Sequence, residues 1–571
     1  MENIIRIDME RGTVTVEPLP ENYRTLGNRG LVAKVLNEEV DPTCDPLGPE
    51  NKLVFTLGLL AGTGFPTGNR LSVGAKSPLT GGIKEANSGG NIGSVLARHA
   101  IKMIIVEKQP MDKGAYVLTI DAEGQPSLTK EDGFAGMGTY DLVTRLKETH
   151  GEKIAVACIG AAGERQYLNS TIQTTDHSTG HPCRALARGG IGAVMGSKGL
   201  KAIVVHPAAK RAEIEYADKA RFSNALKAYA DVLNRNAVTS RALRFFGTMV
   251  GMAVTGKSGA LPVKNFSGER SPILNDIGAH KFHQNVYQRG GKTGLACQPG
   301  CPIRCSNLYN DKDGNYLTSG FEYETVAMIG SNCMIADLDI IARIERMCDD
   351  FGIDTIELGT TLGVCMEGGK LAFGDGEKAK ALVQEMIDGT EFGKLMGQGT
   401  EAVGKHLGVK RIPTVKKQGM PGYDPRNSKG TGLGYATSPM GADHTVGTTS
   451  GSAGDMNKTG RVQMSQKVQV AYAAVDNFMC HFASFPLTST HKYAVAHIAE
   501  AMAGKLGGEW NSDRVFGLGL ETLMLEKAFN RTAGFTAKDD RLPQFFYDEA
   551  SPMTGAKFDF TDEELAQVLP F

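Results

Sequence analysis

The stretch Cys297-Gln298-Pro299-Gly300-Cys301-Pro302-Ile303-Arg304-Cys305 brings three thiols into one short segment of the 571-residue chain. A fourth cysteine ends the distant segment Asp476-Asn477-Phe478-Met479-Cys480. Cysteines four residues apart would share one face of a helix, but the two prolines and the glycine exclude a regular helix. The sequence therefore predicts a loop that wraps its thiolates around a metal centre. With Cys480 as the fourth ligand, that centre joins two distant parts of the chain.

The spacing of these cysteines favours an iron–sulfur cluster. Structural zinc usually shows two close pairs of ligands, whereas here three cysteines are close and one is distant. Zinc and unrelated packing cysteines remain the alternatives, and radical adenosylmethionine enzymes fit poorly because their second gap is shorter. The chain holds ten cysteines in all, which is too sparse for the disulfide framework of a small secreted protein.

The composition favours a cytoplasmic protein with no attraction to nucleic acid or membrane. The formal net charge is −1 and the pI is near 6.9, which gives no global electrostatic pull on anionic surfaces. No charged-then-apolar leader and no apolar run of about 18 residues are visible. Glycine is the outlier, because 71 of the 571 residues, about 12%, are glycine, against a usual level of about 7%. Many turns would explain this, and so would a backbone that approaches a large ligand closely.

The pattern of apolar residues predicts an α+β protein in which a β-rich N-terminal domain forms the base for a cofactor. Apolar residues flank Glu10-Arg11-Gly12, which indicates an opening hairpin. Short apolar runs that suit strands follow at 53–60, 103–106, 116–120, 154–159 and 202–205. Helix-compatible spacing appears later, at 216–233, 335–351 and 355–366. We expect three parts that pack as one body: a β-rich domain 1–207, a mainly helical domain 208–410 and a mainly helical domain 411–571.

One short pattern occurs in both helical parts. Asp349-Asp350-Phe351-Gly352-Ile353-Asp354 lies in the middle part, and the Cys480 segment begins with Asp476. Alone, the first is explained by a helix that ends at Gly352. As a pair they predict that two domains each offer a carboxylate to one end of a symmetric ligand. The glycines around Gly192 do not match a dinucleotide or phosphate-loop fingerprint, because the spacing and order are wrong.

These motifs carry a family resemblance. The chain resembles the tungsten-dependent aldehyde:ferredoxin oxidoreductases over nearly its whole length. The densest matches are Pro66-Thr67-Gly68-Asn69-Arg70 and the stretch 188–203, which begins Arg188-Gly189-Gly190-Ile191-Gly192. Further matches lie at 76–81, 86–90, 322–324, 349–354, 423–426, 432–437 and the Cys480 segment.

The resemblance implies an N-terminal base for a bis-pyranopterin cofactor with tungsten or molybdenum, covered by two mainly helical domains. In such proteins the pterin dithiolenes hold the metal, with no side chain as direct ligand. A [4Fe–4S] cluster lies beside one pterin and carries electrons out to ferredoxin or to an iron–sulfur subunit. The implied reaction oxidises an aldehyde to its carboxylic acid with water as the oxygen source.

The resemblance also implies roles for individual residues. The cluster ligands would be Cys297, Cys301, Cys305 and Cys480. The pterins, their phosphates and a bridging Mg²⁺ would be bound by Arg70, Asn87, Gly89, Arg184, Ala185, Asp349, Ile353, Asp476 and Met479. A guanidinium pairs bidentately with phosphate, and Mg²⁺ prefers oxygen ligands, so the residue types suit these roles.

Glu324 and His444 are the candidates for proton transfer beside the metal. A carboxylate buried near a pterin has a raised pKa and can act as a general acid or base. The alternatives are a salt-bridged surface role for Glu324, with Glu322 as the rival, and a core histidine bonded to backbone for His444.

The chain departs from its relatives at three points. Three residues separate Cys297 from Cys301 where two are common, and the Cys480 segment is one residue shorter and lacks a glycine. Arg343 and Arg346 occupy positions where some relatives carry the Glu and His of an iron site at a dimer axis. Two cations cannot hold a divalent metal, so we expect no such site, and any oligomer must use other contacts.

The sequence leaves two other functions open. One is a family member with a different two-electron reaction. The other is an iron–sulfur electron-transfer or scaffold subunit with a vestigial pterin site, although the joint presence of the pterin and proton-transfer candidates argues against it.

Overall fold

A computed structural model describes residues 2–449, 455–489 and 493–569. The chain begins with the hairpin that the sequence predicts, since two short strands pair antiparallel across a turn at Gly12. This hairpin belongs to a six-stranded mixed sheet of spatial order β2-β1-β6-β3-β4-β5. Its strands are β1 (Asn3–Asp8), β2 (Thr13–Pro18), β3 (Leu53–Leu57), β4 (Leu71–Lys76), β5 (Ile83–Ser88) and β6 (Ile101–Glu107).

A second six-stranded sheet repeats this plan, with one parallel pair among antiparallel ones. Its strands are β7 (Tyr116–Ile120), β8 (Pro126–Lys130), β9 (Ala155–Cys158), β10 (Ile172–Thr174), β11 (Arg184–Leu186) and β12 (Leu200–Val205). The spatial order is β11-β10-β9-β12-β7-β8. All five predicted apolar runs after the hairpin contain a strand. The helices among these strands are α1 (Asn28–Glu39), α2 (Ile92–Arg98), α3 (Thr139–His150), α4 (Ala161–Glu164) and α5 (Ile191–Ser197).

The two sheets share one apolar core and meet at their edges. Phe55 and Leu57 of the first sheet pack in one cluster with Leu118 and Ile203 of the second. The edge strands β5 and β11 approach each other, and the Thr174 hydroxyl lies within hydrogen-bond distance of two carbonyl oxygens, that of Gly89 just after β5 and that of Arg184 on β11. The predicted β-rich base is therefore a pair of sheets joined along one seam.

The middle part is mainly helical, as predicted. Its helices are α6 (Lys219–Arg235), α7 (Leu243–Phe246), α8 (Val250–Ser258), α9 (Leu274–Ile277), α10 (Ala279–Gln288), α11 (Tyr323–Thr325), α12 (Leu338–Phe351), α13 (Thr355–Glu367), α14 (Gly376–Asp388), α15 (Glu391–Met396) and α16 (Thr400–His406). Two π-helical turns, Val238–Ala242 and Val326–Ser331, interrupt them. The three predicted helices correspond to α6, α12 and α13, with starts displaced by up to three residues.

A three-stranded antiparallel sheet that the sequence reading missed lies within this helical part. It consists of β13 (Lys292–Leu295), β14 (Ser306–Asn310) and β15 (Tyr316–Ser319). The cysteine stretch 297–305 connects β13 to β14 and forms the predicted loop. Two antiparallel strands therefore hold both ends of that loop.

The C-terminal part is helical apart from one small hairpin, β16 (Thr414–Val415) and β17 (Gln418–Gly419). Its helices are α17 (Lys429–Thr437), α18 (Arg461–Asp476), α19 (Phe485–Ser489), α20 (Ala494–Leu506), α21 (Ser512–Thr532), α22 (Phe545–Asp548) and α23 (Asp562–Ala566). Helices α1, α6, α18 and α20 contribute side chains to one apolar cluster. The three parts are thus packed together, although their boundaries remain predictions. In the described ranges no helix has both the length and the apolar character needed to cross a membrane.

Candidate cofactor and active site

Asp349 lies in the last turn of α12, and a tight approach to the second sheet fixes this turn. The helix ends at Gly352, which has φ +85°. A Cβ on Gly160 would lie 2.2 Å from the Phe351 carbonyl oxygen, so only glycine permits this contact. Asp349 Oδ1 accepts a hydrogen bond from Gln173 at 3.5 Å, and its buried Oδ2 has no partner among the described residues.

Asp476 ends α18 in an equivalent way on the first sheet. A Cβ on Gly27 would lie 2.4 Å from the Asn477 carbonyl oxygen, and the same oxygen accepts a hydrogen bond from the Leu59 amide at 2.9 Å. Arg29 approaches Asp476 Oδ2 at 3.5 Å while it pairs bidentately with Glu526. The two aspartates of the paired pattern therefore occupy matching positions, one above each sheet.

Burial controls the protonation of both aspartates. It raises the pKa of Asp349 to about 8, although Arg346 and Arg184 act in the opposite direction. It also raises the pKa of Asp476 to about 8 against the charge of Arg29. Both lie at helix C-termini, where the helix dipole disfavours a negative charge. Near neutral pH each carboxyl group is therefore largely protonated, so it can donate a hydrogen bond as well as accept one.

The seam between the sheets gathers the candidates for phosphate and Mg²⁺ binding. Arg70 precedes β4 and donates to the Asn87 side chain and, at 2.9 Å, to the Asn87 carbonyl oxygen. Asn87 on β5 also donates to Ser72 at 2.8 Å. Arg184 and Ala185 lie on β11 across the seam. One arginine thus comes from each sheet.

Arg184 connects the second sheet to the cysteine loop. Its guanidinium donates to Asp176 at 2.7 Å and to the Ser306 hydroxyl, directly after Cys305. A Cβ on Gly320 would lie 2.5 Å from Arg184 Nη1, so the backbone of the middle part runs against this guanidinium. Burial lowers the pKa of Arg184, but the charges of Asp176, Cys183, Cys297 and Glu322 together outweigh burial and the net shift is upward.

The four predicted cluster cysteines are close enough to influence one another, since the pKa of Cys305 is raised by burial and then by Glu322, Cys297, Cys301 and Cys480. The Cys297 carbonyl accepts a hydrogen bond from Gly90 at 2.7 Å, and the Cys480 amide donates to the Thr67 carbonyl at 3.2 Å, so the cysteine loop and the Cys480 segment both contact the N-terminal part near Arg70. Burial raises the pKa of Cys301 to about 12, with further increases from Cys297 and Cys480. The described cysteines, all ten, are free thiols. Across the described ranges no three His, Cys, Asp or Glu side chains converge closely enough to hold a single metal ion.

Three other residues near the loop and the aspartates differ in what they offer. Gln298 is fully buried, and neither its amide nitrogen nor its amide oxygen has a hydrogen-bond partner among the described residues. Ile353 and Met479 lie in apolar clusters, and their amides donate to the Cys348 and Val475 carbonyls at 2.9 Å. The side chains of Ile353 and Met479 therefore pack in the core, which leaves only their main chain for a cofactor.

Glu324 and His444, 120 positions apart in the sequence, face each other. Glu324 Oε1 lies 3.8 Å from His444 Nδ1, and neither atom has a hydrogen-bond partner among the described residues. The other carboxylate oxygen accepts from the Gly422 amide at 2.7 Å, which fixes the carboxyl group. Burial raises the pKa of Glu324, although His444 lowers it in part.

The rival carboxylate, Glu322, faces another direction. It accepts from the Thr248 hydroxyl and lies 3.8 Å from Arg184, on the side of the cysteine loop. Its charge is the second cause, after burial, of the raised pKa of Cys305. Glu322 and Glu324 thus lie on one short helical turn but in different environments, and only Glu324 faces His444.

Buried polar residues that the sequence reading did not single out surround this pair. Lys84 forms a buried ion pair with Asp443, whose Oδ1 lies 3.6 Å from His444 Nδ1. Arg188 donates to Asp354 at 2.9 Å and to the carbonyl oxygen of Ala442 at 2.6 Å. Arg188 heads one of the matched stretches, so the sequence contained a signal, but its partners are far away in the chain.

Three tyrosines border Glu324. The rings of Tyr323 and Tyr423 lie 5.3 Å apart, and the buried Tyr435 hydroxyl has no partner among the described residues. Burial raises the pKa of all three phenols, and the charge of Glu324 raises each further. Three aromatic rings therefore border Glu324, in addition to the buried charged groups of Arg188 and Asp443 that act on its pKa.

The comparison with known proteins agrees with this arrangement. A sequence profile described as "Aldehyde ferredoxin oxidoreductase, N-terminal domain" matches residues 4–207, and one described as "Aldehyde ferredoxin oxidoreductase, domains 2 & 3" matches residues 224–570. The chain belongs to the aldehyde ferredoxin oxidoreductase family. Its second six-stranded sheet ends just before 207, where the first profile also ends.

Curated members of the family resemble the chain over most of its length. The tungsten-containing aldehyde ferredoxin oxidoreductase of Pyrococcus furiosus is 32% identical over 96% of this chain and 91% of its own. The WOR-like subunit of an aliphatic sulfonate oxidoreductase from the same organism is 26% identical over 77% of this chain and 74% of its own. The family thus includes proteins named for different reactions.

A solved structure shows the same fold. The active-site complex BamBC of benzoyl coenzyme A reductase, bound to 1,5-dienoyl-CoA, matches with a TM-score of 0.82. The match covers 99% of this chain and 93% of that one at 19% identity. The predicted α+β fold and the family resemblance are both confirmed.

Proposed function

We propose that this protein interconverts an aldehyde and its carboxylic acid with a bis-pyranopterin cofactor that holds tungsten or molybdenum. The electrons leave through a [4Fe–4S] cluster to ferredoxin or an iron–sulfur subunit. Family membership and the 32% identity to a tungsten-containing aldehyde ferredoxin oxidoreductase support this proposal.

The observation that carries the proposal is the pair formed by Glu324 and His444. Both present a buried polar atom without a hydrogen-bond partner in the described structure, and these atoms are 3.8 Å apart. An unsatisfied buried polar atom costs about 1–3 kcal/mol. Two such atoms at one point suit a polar substrate or a water molecule between them.

The residues present suit the cofactor. Arg70 and Arg184 supply cations to the seam, where phosphates would bind, and Asn87 supplies an oxygen ligand for Mg²⁺. Asp349 and Asp476 each offer a carboxyl group above one sheet, and Oδ2 of Asp349 has no partner among the described residues. We assign one pterin to each aspartate.

The overall reaction is RCHO + H₂O → RCOOH + 2 H⁺ + 2 e⁻. When bound, the metal centre supplies two-electron redox chemistry. Glu324, with its raised pKa, takes the proton that water loses, and His444 donates a hydrogen bond to the aldehyde oxygen. Tyr323, Tyr423 and Tyr435 keep bulk water away from this proton transfer.

The cysteine loop provides the electron exit. Cys297 approaches Gly89 at the seam, and Cys480 follows four residues after Asp476. Burial raises the pKa of Cys301, Cys305 and Cys480, so these groups are protonated thiols without iron and would release their protons when they bind it as thiolates. When bound there, a cluster would supply one-electron transfer.

A different two-electron reaction is the second candidate. The relative that is 26% identical is named as the WOR-like subunit of an aliphatic sulfonate oxidoreductase, which supports a reaction on another substrate class. The aromatic surroundings of Glu324 suit an apolar substituent and do not distinguish these substrates.

Metal analysis and turnover of anaerobically purified protein test the proposal. We expect about one tungsten or molybdenum per chain, about four irons, and aldehyde-dependent reduction of a viologen dye with a panel of aliphatic and aromatic aldehydes. Iron without tungsten or molybdenum would favour an electron-transfer subunit. Both metals with no turnover of any aldehyde would favour the second candidate.

A further inference from the structure

The segments on either side of the cysteine loop are strongly basic. Residues 232–268 contain five Lys or Arg, residues 277–310 contain four, and neither segment contains Asp or Glu, in a chain with a net charge of −1. Three of these cations have local partners: Arg235, Arg244 and Arg289. Five are exposed and pair with no carboxylate in the part of the chain that the structure describes: Arg241, Lys257, Lys281, Lys292 and Arg304.

Exposed apolar side chains lie among these cations. Phe245 is 50% exposed, Tyr287 55%, Val254 42% and Val238 39%. Phe245 stacks on His283 at 4.3 Å between ring centroids, and His283 contacts Tyr287 at 4.4 Å. Phe245, His283 and Tyr287 therefore form a continuous aromatic strip on the helices α7 and α10. Large exposed aromatic side chains beside cations mark interaction sites.

This surface covers the cysteine loop directly. Leu243 of α7 packs with Cys301 and Ile303, and Cys305 is partly exposed beside them. Arg244 donates to the Pro302 carbonyl, and a Cβ on Gly247 would lie 2.8 Å from the Cys305 carbonyl oxygen. The basic segments and the outer side of the loop are thus one surface, which we call the basic face and define as residues 235–257, 280–292 and 300–305.

We propose that the basic face is the docking site of an acidic one-electron carrier protein of the ferredoxin type. This inference rests on the proposed function, since it names the partner of the same electron exit. Opposite charges steer such a carrier to the face, and the aromatic strip supplies the short-range contact. Electron-transfer complexes are small and transient, so charge complementarity contributes most to their formation.

A charge-reversal variant tests the site in the holoenzyme. Arg241→Glu with Lys292→Glu changes two exposed cations outside the cysteine loop and the pterin seam. The control, Lys113→Glu with Lys538→Glu, makes the same change in charge at two exposed lysines elsewhere. Lys113 precedes β7, toward the opposite edge of the second sheet from β11. The probes are a purified acidic 2[4Fe–4S] ferredoxin and benzyl viologen, each as acceptor in aldehyde oxidation.

We expect the reversal to raise the KM for ferredoxin about tenfold or more at low ionic strength while kcat and the viologen rate stay unchanged. Wild-type and control enzymes should share one low KM, which rises with salt between about 0.01 and 0.3 M as screening increases. Phe245→Ser should raise this KM with less dependence on salt.

Two results would overturn the inference. One is an equal KM for ferredoxin in the reversal and control variants. The other is a wild-type dimer, measured by light scattering, that the reversal converts to a monomer, because a second copy would then occupy the face. If the wild type oxidises no aldehyde with viologen, the proposed function is wrong, and a separate experiment without aldehyde then tests whether ferredoxin docks on the basic face. Chemically reduced, desalted enzyme is then mixed with oxidised ferredoxin, and stopped-flow rates of the same variants are compared.

Discussion

Gly89→Ala tests whether the seam and the cysteine loop form one unit. Gly89 follows β5, and a Cβ there would lie 2.8 Å from Cys297 Sγ and 3.1 Å from Cys297 Cβ. Ordinary contacts begin near 3.4 Å, so the sulfur or the loop must move by about 0.6 Å. The hydrogen bond from Gly90 to the Cys297 carbonyl, at 2.7 Å, opposes that movement.

The magnitude follows from this overlap. Overpacking of a close-packed site costs about 1–3 kcal/mol. Metal–ligand distances tolerate only about ±0.2 Å, so a displaced sulfur weakens iron binding more than it weakens the fold. We expect Gly89→Ala to lose about 1–3 kcal/mol of unfolding free energy in the cofactor-free protein and to bind substoichiometric iron.

Urea unfolding, iron content and the EPR spectrum of the reduced protein measure these effects. Gly517→Ala is the matched control, since a Cβ on Gly517 of α21 would meet no atom within 4 Å. In a helix this change stabilises by about 0.5–1 kcal/mol. Full iron content, an unchanged spectrum and unchanged stability in Gly89→Ala would refute the proposed contact between the seam and the cluster ligand.

Three further predictions concern buried charges. Glu324→Gln should keep both metals but lower kcat with an aldehyde and viologen by about 100-fold or more; undiminished turnover, or the same loss in Glu322→Gln alone, would contradict the assignment. Because the folded state binds more protons than the unfolded state between pH 4 and 8 at Asp349 and Asp476, the cofactor-free protein should lose stability as pH rises through that range. Asp349→Asn should reduce that loss by about 1–3 kcal/mol in urea unfolding, and an identical pH profile would contradict it. Lys84→Met should cost about 3 kcal/mol, because it removes the cation paired directly with buried Asp443 and leaves only the more distant Arg188; a change below about 1 kcal/mol would show that the pair is dispensable.

Local sequence patterns predicted much of the fold. Strand β1 of the hairpin and the apolar runs at β3, β6 and β7 are largely buried and rich in strong β-formers, whereas β2 is the exposed edge strand. The ends of helix α12 follow capping rules, with Asp337 at the N-terminus and Gly352 at the C-terminus. The three-stranded sheet β13–β15 was not predicted, because its strands are short and hold Gly, Asn and Ser instead of alternating apolar residues.

The site could be predicted only where a residue's role is visible in its own segment. The cysteine loop was recognisable because the thiols themselves form the pattern. Glu322 and Glu324 could not be separated from the sequence alone, since their different environments come from Arg184 and His444, which are distant in the chain. The pairing of Lys84 with Asp443 is likewise long-range and carries no local signal.

The central claim is that four cysteines bind an iron–sulfur cluster. Two departures from the family pattern, at Arg343 and Arg346 and in the Cys297–Cys301 spacing, are also visible in the structure. The Arg346 guanidinium lies 3.3 Å from the centre of the Tyr140 ring and donates to the Leu317 carbonyl, so it is engaged within the chain while Arg343 is exposed. The absence of a dimer-axis iron site stays a prediction. The three residues between Cys297 and Cys301 include Gln298, and neither the nitrogen nor the oxygen of its side-chain amide has a hydrogen-bond partner in the described ranges.

EPR spectroscopy and iron analysis of Cys480→Ala test that claim most directly, with Cys44→Ala as the control outside the loop. If Cys480 joins the loop across the two domains as the fourth ligand, Cys480→Ala should lose the cluster or convert it to a three-iron form, while Cys44→Ala keeps about four irons. A Cys480→Ala protein with four irons and an unchanged spectrum of the reduced cluster would contradict it.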